Sequence, residues 1–288
     1  MVFVQRPMFA LKKNQKELEM DVNEDKVVVE INDDGVAWVT LNEPAVRNAL
    51  SPALRQQFCE RIPSLEFNAD VRCVVIQGAG EHFMAGGDIR VMKERLEWPS
   101  HERSQRIVAG LHDVNHAIFA LRRMPKPVIA SIRGAAAGFG LSLVGAADLA
   151  IAADDAVFTL AYCHIGASPD GGASYFLGRT LGMKQQMELA FLGDRFGPDR
   201  AKELGIINWV VPKADLQSET DKLATRLAKG PTRAYANAKA LFNATNHLSM
   251  ESHLQMEAER IADSMSSDDH AEGVRAFLEK RQATFRGN

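Results

Sequence analysis

The sequence predicts an α/β protein whose last third is all helical. Three observations carry this. Short runs rich in β-branched residues alternate with longer segments of helical character from Lys26 to Val211. Beyond Val211-Pro212 such runs stop. Finally, 288 residues with 46% hydrophobic and 25% charged content supply the core of one large or two modest globular domains, which excludes a disordered or fibrous chain.

Residues 1–25 mix charges with scattered hydrophobes and show no period, so they read as an extension ahead of the first strand. The strands follow as VVVEI (27–31), VAWVTL (36–41), CVVIQ (73–77), PVIASI (127–132) and DLAIA (148–152). Asp33-Asp34-Gly35 between the first two is a hairpin signal, because glycine accepts the positive φ of such turns. Ser51-Pro52 starts a helix, the hydroxyl serving as cap and the proline sitting in the first turn. From His101 to Arg123, Ile107, Leu111, Val114, Ile118 and Leu121 recur at three- and four-residue steps and form one apolar helix face. The C-terminal helices are expected at 215–229, 232–245, 249–265 and 268–281, with Gly230-Pro231 closing the first and opening the second. Their Met250, Met256 and Met265 are core or interface filler at helical spacing. The organisation is therefore an extension (1–25), an α/β core (26–212) and a helical unit (213–288).

Composition narrows the function classes. A net charge of −3, without a basic patch studded by aromatics, argues against nucleic acid, so any phosphate site is local. Charges interrupt every apolar stretch well short of the roughly 18 residues a membrane span needs, and residues 1–25 lack the continuous apolar core of a signal segment. Cys59, Cys73 and Cys163 leave one thiol over in any pairing, and no CxxC or His/Cys cluster has zinc spacing. A cytoplasmic protein is expected.

Three small-residue turns are the candidates for chemistry. Phe83 to Arg90 (FMAGGDIR) follows the strand at 73–77 and lets a backbone approach a ligand with its amides free. Gly134 to Gly140 (GAAAGFG) joins a strand to an apolar helix whose first N–H groups have no intrahelical acceptor. Ser168 to Ser174 (SPDGGAS) carries one carboxylate, Asp170, and opens a helix, for which Asp170 could be a simple cap. Any one of these is more often a tight turn than a site; three in one domain can surround a single carbonyl. Gly138-Phe139-Gly140 is no dinucleotide fingerprint, since Leu143 stands where GxGxxG requires glycine.

These motifs resemble the crotonase (enoyl-CoA hydratase/isomerase) superfamily over roughly residues 26–288: RNALS (47–51), AGGDI (85–89), the run from Pro127 to Gly140, PDGG (169–172) and the closing FLEKR (277–281). The resemblance implies a spiral of ββα turns, a helical trimerisation domain, and a homotrimer or homohexamer. It implies an acyl-CoA substrate, with no cofactor besides the coenzyme A thioester itself. The N–H groups of Gly87 and Phe139 would form the oxyanion hole. Arg47, Ala49, Ala85, Asp88, Arg90, Gly138 and Tyr162 would line the acyl-CoA site, Arg47 and Arg90 near phosphates. Phe277 and Lys280 would reach the adenine end, from a neighbouring subunit.

Departures from the family pattern set the expected reaction. Hydratases of the superfamily carry two glutamates, and the matching positions here are Ser142 and Tyr162, neither a useful base near neutral pH. Asp170 remains, at the position where isomerases of the family place an acid; PDGGASYFLGRTLGM and EGVRAFLEKRQATFRG look most like the phenylacetyl-CoA-epoxide isomerase branch. The expected activity is an acyl-CoA isomerase that shifts a double bond through a thioester enolate. Open alternatives are an aryl-CoA dehalogenase or thioester hydrolase with Asp170 as nucleophile, helped by His112 or His116, an atypical hydratase, and a non-catalytic scaffold. Cys163 and His164, read as neighbours in a strand, point to opposite faces and make no dyad.

Overall fold

The computed structural model describes residues 25–288; the rest of the expected extension, 1–24, lies outside the described residues. Strands β1 (Val27–Ile31) and β2 (Val36–Leu41) form the antiparallel hairpin expected around Gly35. Helix α1 (Pro52–Ser64) starts where Ser51 Oγ accepts the Leu54 N–H at 3.1 Å. Strand β3 (Cys73–Gly78) is followed by α2 (Ile89–Glu94), then by α3 (Ser100–Arg123), which buries Val114, Ala117, Ile118 and Leu121. Then come β4 (Val128–Ile132), β5 (Ala135–Ala137), α4 (Phe139–Ala146), β6 (Leu149–Ala153), β7 (Val157–Thr159), α5 (Ala173–Thr180), α6 (Met183–Leu192), α7 (Pro198–Glu203) and β8 (Trp209–Val211). The last helices are α8 (Leu216–Ala228), α9 (Thr232–Ala244), α10 (Met250–Met265) and α11 (Asp268–Glu279).

The main sheet has the order β1-β2-β3-β4-β6-β8, parallel from β2 onward, and β5 pairs with β7 in a second, two-stranded sheet. A bridge from Met84 to Ala136 brings the segment after β3 against that small sheet, and Phe196 meets Phe158 on its other side. Each turn of chain thus adds one strand to the large sheet, a short extended segment to the small one, and a helix. The parallel strands β3 and β4 are mostly apolar because both faces of the sheet are covered; the buried Ser131 of β4 is satisfied by Thr220 Oγ1 at 2.9 Å.

Three expectations are corrected here. Ala135–Ala137, expected as part of a turn, is a strand: alanine has little strand preference, but the segment pairs in register with Val157–Thr159. Tyr162–Ile165 is a turn of 3₁₀ helix and not a strand, because Ala161 is left-handed (φ 53°) and reverses the chain. Helix α8, grouped by sequence with the helical unit, packs on the sheet: Leu216, Ala224 and Ala228 form one apolar cluster with Val36, Val75, Ile129 and Ile151. Helix α9 is tied to the core by the half-buried Lys239, whose ammonium donates to Asp148 Oδ2 (2.7 Å), Leu121 O (2.8 Å) and Lys126 O (3.2 Å). No described helix is long and apolar enough to cross a membrane.

Candidate active site

The first small-residue turn is built against the segment 47–50. Arg47 and Asn48 are both left-handed (φ 56° and 55°), which folds the chain so that Ala85 N–H donates to Arg47 O at 3.0 Å and Leu50 N–H to Gly86 O at 2.7 Å. Asn48 fixes this geometry. Its buried amide donates to Ala79 O (3.0 Å), His82 O (2.8 Å) and Phe83 O (3.2 Å) and accepts the Glu43 N–H (2.9 Å). Sequence reasoning passed over Asn48; the available signal was an asparagine, a residue that tolerates the left-handed region, beside a glycine-rich loop. Asp88 caps α2 through Arg90 N–H (2.9 Å) and takes a two-point ion pair from the Arg90 guanidinium, which holds its carboxyl below the usual range.

The second turn closes on the first. Gly138 has φ 52°, which releases Phe139 into the first position of α4. A Cβ built on Gly86 would stand 2.9 Å from Ala137 O and 3.5 Å from Phe139 N, so the two turns are in contact. Among the described residues neither the Gly87 N–H nor the Phe139 N–H donates to a protein acceptor. The Phe139 ring is buried and meets Phe58 edge to face at 6.2 Å between centroids.

The third turn supplies the carboxylate. Helix α5 begins at Ala173 with Gly172 as its cap residue, so Asp170 is not a helix cap. Its Oδ1 instead accepts the Tyr162 hydroxyl at 2.6 Å. Ser142, one turn into α4, lies with Oγ 3.2 Å from the Tyr162 oxygen and donates to Asp170 O at 2.9 Å. Burial pushes the Asp170 carboxyl above the ordinary carboxylate value, and the Tyr162 hydrogen bond pulls against that. The same burial, with the adjacent carboxylate, raises the Tyr162 phenol.

Other expected residues separate. Arg47, Ala85 and Ala137 line a groove of about 500 Å3 with Ala161, His164 and Arg195; neither arginine makes an ion pair among the described residues. Ala49 is buried behind the turn. Phe277 is 83% exposed in α11 and Lys280 ends that helix in a left-handed conformation, so within one chain neither joins the three turns. His112 and His116 are exposed on α3. Cys163 and His164, placed side by side by the 3₁₀ turn, approach to 3.9 Å (Sγ to Nδ1), so the opposite-face argument against contact does not hold.

The described residues thus present two amides without a protein acceptor, a half-buried carboxylate and a groove bearing Arg47 and Arg195, all on an α/β scaffold. Comparison with known proteins gives the family. A family model described as enoyl-CoA hydratase/isomerase matches residues 31–288, and the chain belongs to that family. It is 32% identical over 255 residues to the trans-2-decenoyl-[acyl-carrier-protein] isomerase of Streptococcus mutans, covering 88% of this chain and 96% of that one. It is 33% identical over 255 residues to the 1,2-epoxyphenylacetyl-CoA isomerase of Escherichia coli, covering 88% and 95%. The crystal structure of an enoyl-CoA hydratase from Polaromonas sp. JS666 superposes with a TM-score of 0.83 at 33% identity, over 90% of this chain and 99% of that one.

Proposed function

We propose that this member of the enoyl-CoA hydratase/isomerase family is an acyl-CoA isomerase that moves a carbon–carbon double bond, with Asp170 as the proton carrier. The observation that carries the reading is the Ser142–Tyr162–Asp170 cluster. At the two positions where hydratases of the family have glutamates this chain has hydroxyls, and each hydroxyl has a single proton. The Tyr162 hydroxyl donates to Asp170 Oδ1, and the Ser142 hydroxyl has carbonyl acceptors at Asp170 O (2.9 Å) and Gly138 O (3.3 Å), which leaves Asp170 as the base of the cluster.

A double-bond shift needs one base. Asp170 takes the α-proton of a 3-enoyl thioester; the electron pair delocalises onto the thioester oxygen and the alkene, and the Gly87 and Phe139 amides stabilise the resulting dienolate. The same carboxyl returns the proton at the γ-carbon, giving the 2-enoyl thioester with no net change in atoms. Burial that raises the Asp170 carboxyl makes it a stronger base than an exposed aspartate. The groove takes the coenzyme A portion, with Arg47 and Arg195 toward its phosphates.

Apolar side chains left exposed on the C-terminal helices, among them Phe242, Met250, Leu254 and Leu278, support assembly as a homotrimer or homohexamer. A monomeric mass in light scattering at micromolar concentration would remove that part of the proposal. The activity is tested by incubation with 3-enoyl-, 2-enoyl- and aryl-CoA esters and mass detection of products, alongside α-proton exchange in deuterated water. Wild-type exchange in Asp170→Asn, or efficient hydration of a short 2-enoyl-CoA, overturns the assignment.

A further inference from the structure

We propose that Tyr162 is a positioning residue for Asp170: its hydroxyl pins Oδ1 and so reserves Oδ2 for the proton that moves. The inference rests on the reading of Asp170 as base.

Asp170 sits on a loop, outside any helix, and Tyr162 is the side-chain partner that holds its carboxylate, at 2.6 Å on Oδ1. Among the described residues no other residue donates to Oδ2, and the carboxylate's remaining contact is with its own backbone N–H. A carboxylate on a loop samples several χ rotamers, and a base that is misplaced by about 1 Å loses on the order of 100-fold in rate. One short hydrogen bond from a rigid donor removes that freedom. Tyr162 is such a donor. Its own N–H donates to Leu160 O at 2.7 Å, its carbonyl accepts Ala167 N–H at 3.0 Å, and its ring edge comes within 3.9 Å of where a Cβ on Gly138 would lie. The ring is therefore lodged against the turn that presents the Phe139 amide, and it couples the base to the expected oxyanion donor.

Ser142 completes the arrangement. Its Oγ lies 3.2 Å from the Tyr162 oxygen and 2.9 Å from Asp170 O, nearer than its other acceptor, Gly138 O (3.3 Å), so α4 also holds the loop from which the carboxylate projects. The donor direction of the tyrosine is fixed, because burial and the neighbouring carboxylate both oppose loss of its proton. A neutral donor also suits the task better than a second carboxylate, which at this distance would compete with Asp170 for one proton.

The test is Tyr162→Phe, read by kcat, KM and the pH profile of kcat/KM. The expected result is a fall in kcat of about 10- to 100-fold with KM within about threefold. Since the Tyr162 hydrogen bond lowers the Asp170 pKa, its loss should move the acidic limb up by about one pH unit or more. A ring-fluorinated tyrosine at 162 keeps the shape but donates more strongly, and should move the limb down; it also covers the case in which Tyr162→Phe does not fold. Asp170→Asn separates the two ideas. If it retains α-proton exchange, the assignment of the base fails. If it abolishes exchange while neither change at Tyr162 moves the limb or kcat, the positioning role alone is overturned.

Discussion

Replacing Gly171 by alanine is a sharp probe of how Asp170 and the Phe139 amide are held together. Gly171 adjoins Asp170 and has φ +58°; a Cβ there would stand 2.5 and 2.6 Å from two carbons of the Phe139 ring and 3.2 Å from Ser142 Cβ. Ordinary contact between carbons is about 3.5 Å or more, so the ring or the loop must give by about 1 Å. The ring has little room: Phe139 is 3% exposed, and Phe58, packed on it edge to face, is 1% exposed. Motion therefore passes to the Phe139 backbone or to the loop carrying Asp170. The expected cost is about 100-fold in kcat, with about 2–4 kcal/mol of stability lost to overpacking and left-handed strain. Gly166→Ala is the matched control, because Gly166 also has positive φ (+65°) but nothing lies within 4 Å of its Cβ position. It should lose only the strain, about 1 kcal/mol, and keep its kcat. Isomerisation kinetics and urea unfolding of both proteins decide the matter. A folded Gly171→Ala with wild-type turnover would refute the packing argument.

Three further outcomes are expected. Gly87→Pro, which deletes the free amide, should lower kcat by about 100-fold or more, whereas Gly87→Ala should stay within about threefold in steady-state assays, since only the flexible end of Met92 opposes its Cβ, at 2.4 Å. Burial raises the pKa of Asp170 in the folded state above its unfolded value, so its stabilising contribution is present at low pH and is lost as pH rises through the folded pKa. Asp170→Asn should accordingly match the wild type in Tm at acid pH and exceed it increasingly toward neutrality, and equal Tm values at neutral pH would count against a buried ionised carboxylate. Lys239→Ala should cost about 3 kcal/mol in urea unfolding, at the low end for a broken buried pair because Asp148 keeps the Val128 N–H and a longer contact to Arg122.

Five strands of the large sheet were legible because they are apolar, mostly β-branched runs between turn residues, whereas the three-residue β8 at its edge was too short to stand out. The small sheet was not legible, because Ala135–Ala137 has little strand preference and is held extended by its pairing with β7 on one side and its bridge to Met84 on the other. The C-terminal helices fell within two residues of their expected ends, yet their periodicity is silent about which layer each joins; α8 is drawn to the sheet by Leu216, Ala224 and Ala228. The 3₁₀ turn at 162–165 depends on left-handed backbone at Ala161 and Gly166, and an alanine there gives no sequence warning.

The same limit governs the site. The small-residue turns could be read as places where amides are left free because that is a property of local backbone, and the family resemblance then pointed to Gly87 and Phe139. The bond between Tyr162 and Asp170 could not be read, since it spans a chain reversal and links side chains whose directions depend on that reversal. Read position by position, Ser142 and Tyr162 look like losses, two carboxylates replaced by hydroxyls. Assembled, they cost the cluster two bases and leave it two donors, both spent on the one residue that stays acidic. Three carboxylates in such a half-buried space would repel, and each would titrate in the field of the others. One carboxylate with two neutral neighbours titrates alone, with one oxygen held and one free. That is what a proton shift between two carbons requires, and it offers no second group to activate water.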